Sequence, residues 1–426
     1  MAKLKLHWKI LIAILLAVVC GVITGTEMSV LGISFYQIYD FAGTLFLNAL
    51  KMIIVPLIMA SIITGIANIG SSGDLSRLGS KTLGYYALTS TLAILIGLAF
   101  VNIMSPGIID GIAVGERLNL TLDGGEVANA VASVEGRGGS DIVQIFLRMV
   151  PTNIVNAAAE GQMLGLIFFS LVFGFFMTQI PKKQSEAMLL FWQGVSEVMM
   201  KITMWVMSFA PYGVFGLVAK TVASTGFAAF APMLWFFVTV LLALAFHTFV
   251  ALPLLLKYLG KVSPVAHFKA MTPALLTGFS TASSSATLPL TMECVEKKAG
   301  VSERTTSFVL PLGATINMDG TALYECVAAM FLAQAYGLEM SLVTQFTVVL
   351  VALLTSIGVA GIPAASLVAI TVILTAIGLP VEAIGLLLVT DRVLDMCRTA
   401  INIFSDSCGA VIIAKSQGET GILENK

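Results

Sequence analysis

The sequence predicts an all-α polytopic membrane protein, with eight transmembrane helices and two re-entrant helical hairpins arranged as inverted repeats. Three observations predict it. Of 426 residues, 58% are hydrophobic and 11% charged, against roughly 25% charged in ordinary soluble domains. Lys and Arg recur between apolar runs as they do in cytoplasmic loops. Twice, a Gly- or hydroxyl-rich break interrupts an apolar stretch whose two ends lie on the same side. The mean hydropathy of +0.96 excludes a water-soluble fold. A net charge of −1 without a basic block excludes nucleic acid as a partner and leaves membrane lipid as the surroundings. The cysteines (Cys20, Cys294, Cys326, Cys397 and Cys408) have no CxxC spacing and read as small packing residues.

Each element follows in order. Lys3, Lys5 and Lys9 place the N-terminus inside. Residues 10–25 form the first span, which lacks a small-residue cleavage site and is read as a retained helix. Residues 26–34 carry no positive charge and lie outside; the second span returns to Arg77 and Lys81. The third span, 82–104, leads to a Gly-rich, mainly acidic outer stretch at 105–141. Apolar 163–180 leads to Lys182 and Lys183, and runs 188–222 and 227–256 follow, the second ending at inner Lys257 and Lys261. The apolar segment 266–292 then runs from inner Lys261 to inner Lys297, Lys298 and Arg304, so it enters and turns back. The sequence STASSSATLP at 280–289 marks that turn, with Pro289 reinforcing it. The same reasoning applies outside, where TSIGVAGIPAAS at 355–366 lies between a span ending near Tyr336 and a last span beginning near Pro380. Non-helical backbone survives at membrane depth only when it is buried in protein or faces a water-filled cavity.

The last span holds Asp391, Asp395, Arg398, Asn402 and Asp406, which fall within about 80° of one another at 100° per residue. Intramembrane charges are costly unless paired or lining a pathway. Mutual structural pairing is one reading. Three carboxylates around Arg398, however, leave surplus negative charge that asks for a cation. The preceding span contains GATINMDGT at 313–321. Asn317 and Asp319 would face opposite sides of a regular helix, and Gly320 lowers the cost of unwinding there. Freed carbonyls beside carboxylates suit a hard cation such as sodium, and the scattered histidines (His7, His247, His267) do not make a transition-metal site. One turn beyond Thr321 comes Glu325, either a proton carrier or a structurally hydrogen-bonded acid. Tyr86, Thr89 and Ser90 form a hydroxyl patch at i, i+3 and i+4; helical hydroxyls also close on backbone carbonyls, so both readings stand.

Together, SSSATLP at 283–289, NMDGT at 317–321, GVAGIP at 358–363 and LDMCRT at 394–399, supported by KMIIVP at 51–56 and APYG at 210–213, resemble the dicarboxylate/amino acid:cation symporter family. That family includes prokaryotic glutamate and aspartate transporters and the animal excitatory amino acid transporters, and an archaeal member is a known inverted-repeat fold. The resemblance covers nearly the whole chain. It implies an elevator-type transporter that couples sodium entry, and proton entry through Glu325, to uptake of L-aspartate or L-glutamate by alternating access. Arg398 would bind the substrate side-chain carboxylate, Asp395 the amino group, and Asn402 and Thr399 the polar core. Thr321, Ser284 and the backbone near Ile362 and Ser366 would complete the pocket. One sodium would lie at Asp406 with carbonyls of Gly313, Asn317 and Asn402, and another at Asp319 with Tyr86, Thr89, Ser90 and Asn317. A third would lie near Thr315, Met318, Ser356, Ile357 and Val359. No organic cofactor is implied. Residues 1–76 and 111–225 would form the scaffold of a homotrimer, and 77–110 and 226–426 the moving transport domain. Short loops and compact length favour a prokaryotic inner membrane, with both termini cytoplasmic.

The chain departs from the pattern at several positions. Ala282 stands where the archaeal aspartate transporters have arginine, Glu325 where they have glutamine, and Val359 offers a carbonyl but no hydroxyl. Alternatives inside the family are a C4-dicarboxylate or neutral amino acid symporter. Asp395 argues against the first, which brings no ammonium; Arg398 argues against the second, which would leave it unpaired. An intramembrane protease would need a base beside Ser283–Ser285 or paired catalytic acids, and neither signature is present, so no enzyme is expected. A channel is distinguished by its lack of stoichiometric coupling.

Overall fold

The computed structural model describes residues 6–423 apart from 31, 71–75, 118–149, 160–162, 227–229, 339, 359–365, 367–368, 371–372, 375–378 and 380–383. Its principal helices are α1 (Leu6–Thr24), α2 (Phe35–Gly70), α3 (Ser76–Met104), α4 (Met163–Met177), α5 (Lys182–Ser208), α6 (Ala210–Thr225) and α7 (Phe230–Phe246). They continue with α8 (Pro264–Thr281), α9 (Ser284–Glu293), α10 (Glu303–Ile316), α11 (Asp319–Ala335), α12 (Leu342–Gly358) and α13 (Ile384–Ser416). The described strands form two-stranded hairpins, Ser29–Val30 with Ile33–Ser34 and Ile108–Ile109 with Ile112–Ala113. The second turns through Asp110 and Gly111, whose φ angles of 52° and 78° suit a tight hairpin turn. A helical, multi-pass membrane protein results.

By length and apolarity alone, Phe35–Ala67, Leu78–Met104 and Pro232–Gly260 among the described helices can cross a bilayer. The pair α5 and α6 passes the same test together, as a bent unit. The apolar run 188–222, expected as one span, is therefore broken: the two helices meet at 52°. Phe209 forms the joint. Pro211 follows at the start of α6, where its ring is tolerated but where an unbroken α5 would have clashed with it. Gly213 then lets α6 lie directly on α2, since a Cβ there would stand 2.2 Å from the Phe46 ring. The last crossing, beyond α6, reaches Gly260 through π-helical turns at His247–Ala251 and Leu256–Gly260.

Two sets of packings organise these helices. In one, α6 packs on α1 and α2, and α2 on α4 and α5; in the other, α3 and α7 pack on α11 and α13, and α8, α10 and α11 pack on α13. The helix α11 is buried on every side apart from Gln334, its polar Asp319, Thr321 and Glu325 included. Every residue of α13 from Ile401 to Ala414 is also buried, so its polar side chains lie inside protein.

The segment expected as an inner hairpin folds as α8 followed by α9. Ala282, with φ 50°, and Ser283 make the turn, and the Ser283 hydroxyl accepts from the Ala286 amide at 3.2 Å as the N-cap of α9. Pro289 lies within α9 rather than at the turn, because the cap supplies the reversal that proline had been expected to enforce. Of the outer break at 355–366, α12 runs to Gly358 and Ser366 is buried. Val359 and Ile362 lie outside the described residues, and Ser356 and Ile357 are placed only as backbone of α12.

Candidate functional site

The backbone between α10 and α11 leaves the helix at Asn317 (φ −97°, ψ 92°) and Met318 (φ −118°, ψ 58°). Unwinding lets side chains two residues apart reach one cluster, which a continuous helix forbids. The Asn317 amide nitrogen donates to Asp406 Oδ1 at 2.9 Å and to the Ser405 hydroxyl at 3.1 Å. Its oxygen accepts from Thr89 at 3.3 Å. Asp319 accepts from Ser90 at 2.8 Å through Oδ1 and from Ser405 at 2.6 Å through Oδ2. His247 Nε2 lies 3.1 Å from the same Oδ2. The hydroxyl patch of α3 thus meets the break, although the Tyr86 hydroxyl itself donates to the Val309 carbonyl at 2.7 Å. Gly313 brings α10 against α13 here: a Cβ at this position would lie 2.5 Å from Asp406 Oδ1 and 2.6 Å from the Tyr86 hydroxyl.

A bridge of polar contacts continues along α13. Asn402 Oδ1 accepts from the Gly320 amide at 2.8 Å, and Asn402 Nδ2 donates to the Thr321 hydroxyl at 3.1 Å. Beyond it, Thr399 donates to the Asp395 carbonyl at 2.8 Å. Arg398 Nη2 donates to Asp391 Oδ1 and to Asp395 Oδ1, each at 3.1 Å, and the guanidinium lies 3.8 Å over the Tyr324 ring. With 1% of its surface exposed, Arg398 is among the largest fully buried side chains. Its Nε and Nη1 have no partner among the described residues, which leaves donors for a further carboxylate. Ser284, Thr321 and Met318 are buried, as is Glu325 one turn along α11. Thr315 is placed differently: its hydroxyl donates to Pro311, and it lines a cavity of about 720 Å³ between α2, α5 and α10.

The surplus charge expected around Arg398 lies elsewhere. Arg392 Nη1 donates to Asp395 Oδ2 at 3.1 Å, so two arginines answer Asp391 and Asp395. Around the break, Asp319 and Asp406 accept from amide, hydroxyl and imidazole groups and form no ion pair with an Arg or Lys among the described residues. Periodicity could have found Arg392, three residues before Asp395. Ser405 is equally legible, three residues after Asn402. His247 and Tyr324 carried no local signal, because their roles depend on how α7, α11 and α13 pack.

A sequence model of the sodium:dicarboxylate symporter family matches residues 6–416. The chain is 34% identical over 413 residues to the proton/glutamate-aspartate symporter of Escherichia coli (strain K12), covering 97% of this chain and 93% of the relative. It is 35% identical over 419 residues to the proton/sodium-glutamate symport protein of Bacillus caldotenax, covering 98% and 96%. Excitatory amino acid transporter 3 of Mus musculus is 34% identical over 458 aligned positions, covering 97% and 86%. The match across nearly the full length, with the buried carboxylate and arginine network that it spans, shows that the chain belongs to the sodium:dicarboxylate symporter family.

Proposed function

We propose that the chain is a secondary active transporter that couples sodium and proton entry to uptake of L-aspartate or L-glutamate by alternating access. One observation carries this reading: α13 bears an arginine–aspartate cluster at Asp391, Asp395 and Arg398 and, further along, Asn402, Ser405 and Asp406, which reach Gly320, Asp319 and Asn317 at the break between α10 and α11. The names of the relatives, symporters of glutamate and aspartate among them, support the same cargo. Arg398 clamps the side-chain carboxylate of the substrate and Asp395 takes its ammonium. Thr399, Asn402, Thr321, Ser284 and the backbone around Ile362 and Ser366 hold the remainder.

Sodium enters at Asp406 with carbonyls of Gly313, Asn317 and Asn402, and at Asp319 with Asn317, Thr89, Ser90 and Tyr86. Both carboxylates lack an Arg or Lys partner among the described residues, which suits a co-transported cation. A third sodium lies near Met318 under the outer break, with the backbone of Ser356, Ile357 and Val359; Thr315 contributes only if it turns from its cavity. Glu325 carries the proton. The packing of α1, α2, α4, α5 and α6 supports a scaffold, trimeric in the assembled protein, against which α3 and α7–α13 move as an elevator. The site of action is a plasma membrane, a prokaryotic inner membrane, with both termini cytoplasmic.

Uptake of labelled L-aspartate into proteoliposomes tests the reading, comparing an inward sodium gradient with equimolar choline at equal pH. Uptake that requires sodium is expected. Uptake indifferent to sodium removes the cation sites from the proposal, and competition by malate or succinate as strong as by aspartate would turn the substrate to a C4-dicarboxylate.

A further inference from the structure

Arg392, Asp395, Arg398 and Asp391 form an alternating chain of charge on one stretch of α13. Asp395 is shared: Oδ1 accepts from Arg398 Nη2 and Oδ2 from Arg392 Nη1, each at 3.1 Å. Arg398 Nη2 also answers Asp391. The side chains of Arg392 and Asp395 are 13% and 16% exposed, so this pair is largely, though not wholly, withdrawn from the surface. Arg392 Nε has no partner among the described residues, so its hold on this network runs through Nη1 and Asp395.

We infer that Arg392 is a specificity-determining positioning residue, whose charge keeps this cluster neutral so that it accepts a net-negative amino acid. The inference rests on the proposed uptake of acidic amino acids. Two arginines and two aspartates sum to zero, and an acidic amino acid brings one net negative charge into the buried site. Without Arg392 the cluster itself is negative before the substrate arrives, and Asp395 leans on Arg398 alone. Arg398 would then face two carboxylates and have less attraction left for a third. Uncompensated charge is costly in a desolvated site, so this loss falls on acidic substrates and largely spares their neutral isosteres. Arg392 also anchors the second oxygen of Asp395, holding that carboxylate in place for an ammonium.

The test compares inhibition of labelled L-aspartate uptake by L-aspartate and by its neutral isostere L-asparagine. Arg392→Gln is expected to weaken L-aspartate by about tenfold or more, the scale for losing one partner of a desolvated charge pair, and L-asparagine much less. Arg392→Lys retains the charge and most of the aspartate-over-asparagine ratio. Adding Asp391→Asn to Arg392→Gln restores neutrality and recovers that ratio, which a merely structural defect would not do. An unchanged ratio in Arg392→Gln, or failure of the second substitution to recover it, overturns the inference. If Arg392→Gln does not yield monodisperse protein, Asp391→Asn alone decides: it makes the cluster positive and must raise the ratio, and an equal or lower ratio overturns the inference. Wild-type protein without sodium-driven aspartate uptake would instead sink the function proposed above, whatever the variants do.

Discussion

Along α13, the stretch from Asp391 to Arg398 answers every carboxylate with a guanidinium, whereas Asp406, two turns further on, is held by an amide and by close backbone. In the first region Arg392 and Arg398 pair with Asp391 and Asp395 at 3.1 Å. In the second, Asp406 and neighbouring Asp319 accept from Asn317, Ser90 and Ser405, and Asp319 lies beside His247. Both regions are largely withdrawn from solvent, the first slightly less, and the main difference between them is one of charge pairing. It teaches that one region is balanced before its ligand arrives and the other is short of positive charge. A charged organic substrate suits the first, because ion pairs can be exchanged there; a small cation suits the second, because oxygen atoms already converge on it.

The largest break in this contrast is Arg398→Ala. It leaves Asp391 without its guanidinium, which for a buried pair costs about 3–5 kcal/mol of stability, and it removes the proposed carboxylate clamp. Aspartate binding is expected to vanish in calorimetric titration of the purified protein in saturating sodium. Retained affinity would count heavily against the pocket assignment.

A sharper probe is Gly313→Ala, which acts on the second region alone. The added Cβ would meet Asp406 Oδ1 at 2.5 Å and the Tyr86 hydroxyl at 2.6 Å, so atoms must shift at the proposed cation site. Overpacking of this kind costs about 1–3 kcal/mol. The sodium concentration for half-maximal uptake should rise severalfold, while the aspartate-over-asparagine ratio at saturating sodium stays unchanged. A changed ratio with unchanged sodium dependence would reverse the assignment of the two regions.

The smallest effect is expected from Glu419→Gln, which touches neither region. Past the end of α13, Glu419 accepts from the Ser302 amide at 2.9 Å, the Ser302 hydroxyl at 2.7 Å and the Thr305 hydroxyl at 2.5 Å. It thereby ties the tail to the start of α10. Partial burial opposes ionisation there, but hydrogen bonds from Thr305 and Ser302 outweigh it and hold the carboxyl below its ordinary value. A depressed carboxylate stabilises the fold above its unfolded pKa and loses that contribution as pH falls through the folded one. Thermal unfolding in detergent at pH 7.5 should show a loss of about 1 kcal/mol in the variant, reduced because the group is only partly buried. The gap should narrow below about pH 4. Sodium dependence and substrate ratio should not change.

Much of the site was legible locally. The apolar composition, the break at NMDGT and the stripe from Asp391 to Asp406 each follow from spacing in a bilayer, where polar groups need a reason to be present. The turn between α8 and α9 falls within the segment 266–292 whose end charges had asked for a reversal. Other features were not legible. The bend at Phe209 depends on α6 lying against α2 through Gly213, a contact invisible in an unbroken run of apolar residues. The resemblance alone assigned Thr315 a place near a sodium, whereas its donation to Pro311 and its cavity between α2, α5 and α10 depend on packing.

By itself, the sequence determined that this is a helical membrane protein with buried acids, an intramembrane arginine and an interrupted helix beside them, because side-chain period and transfer cost are local properties. The tertiary structure alone decided how the charges are shared. His247 reaches Asp319 across 72 positions, and Ser90 reaches it across 229. The balance at Asp395 is local in sequence, yet it acquires meaning only when Tyr324 of α11 closes over Arg398 and burial makes each unpaired charge expensive.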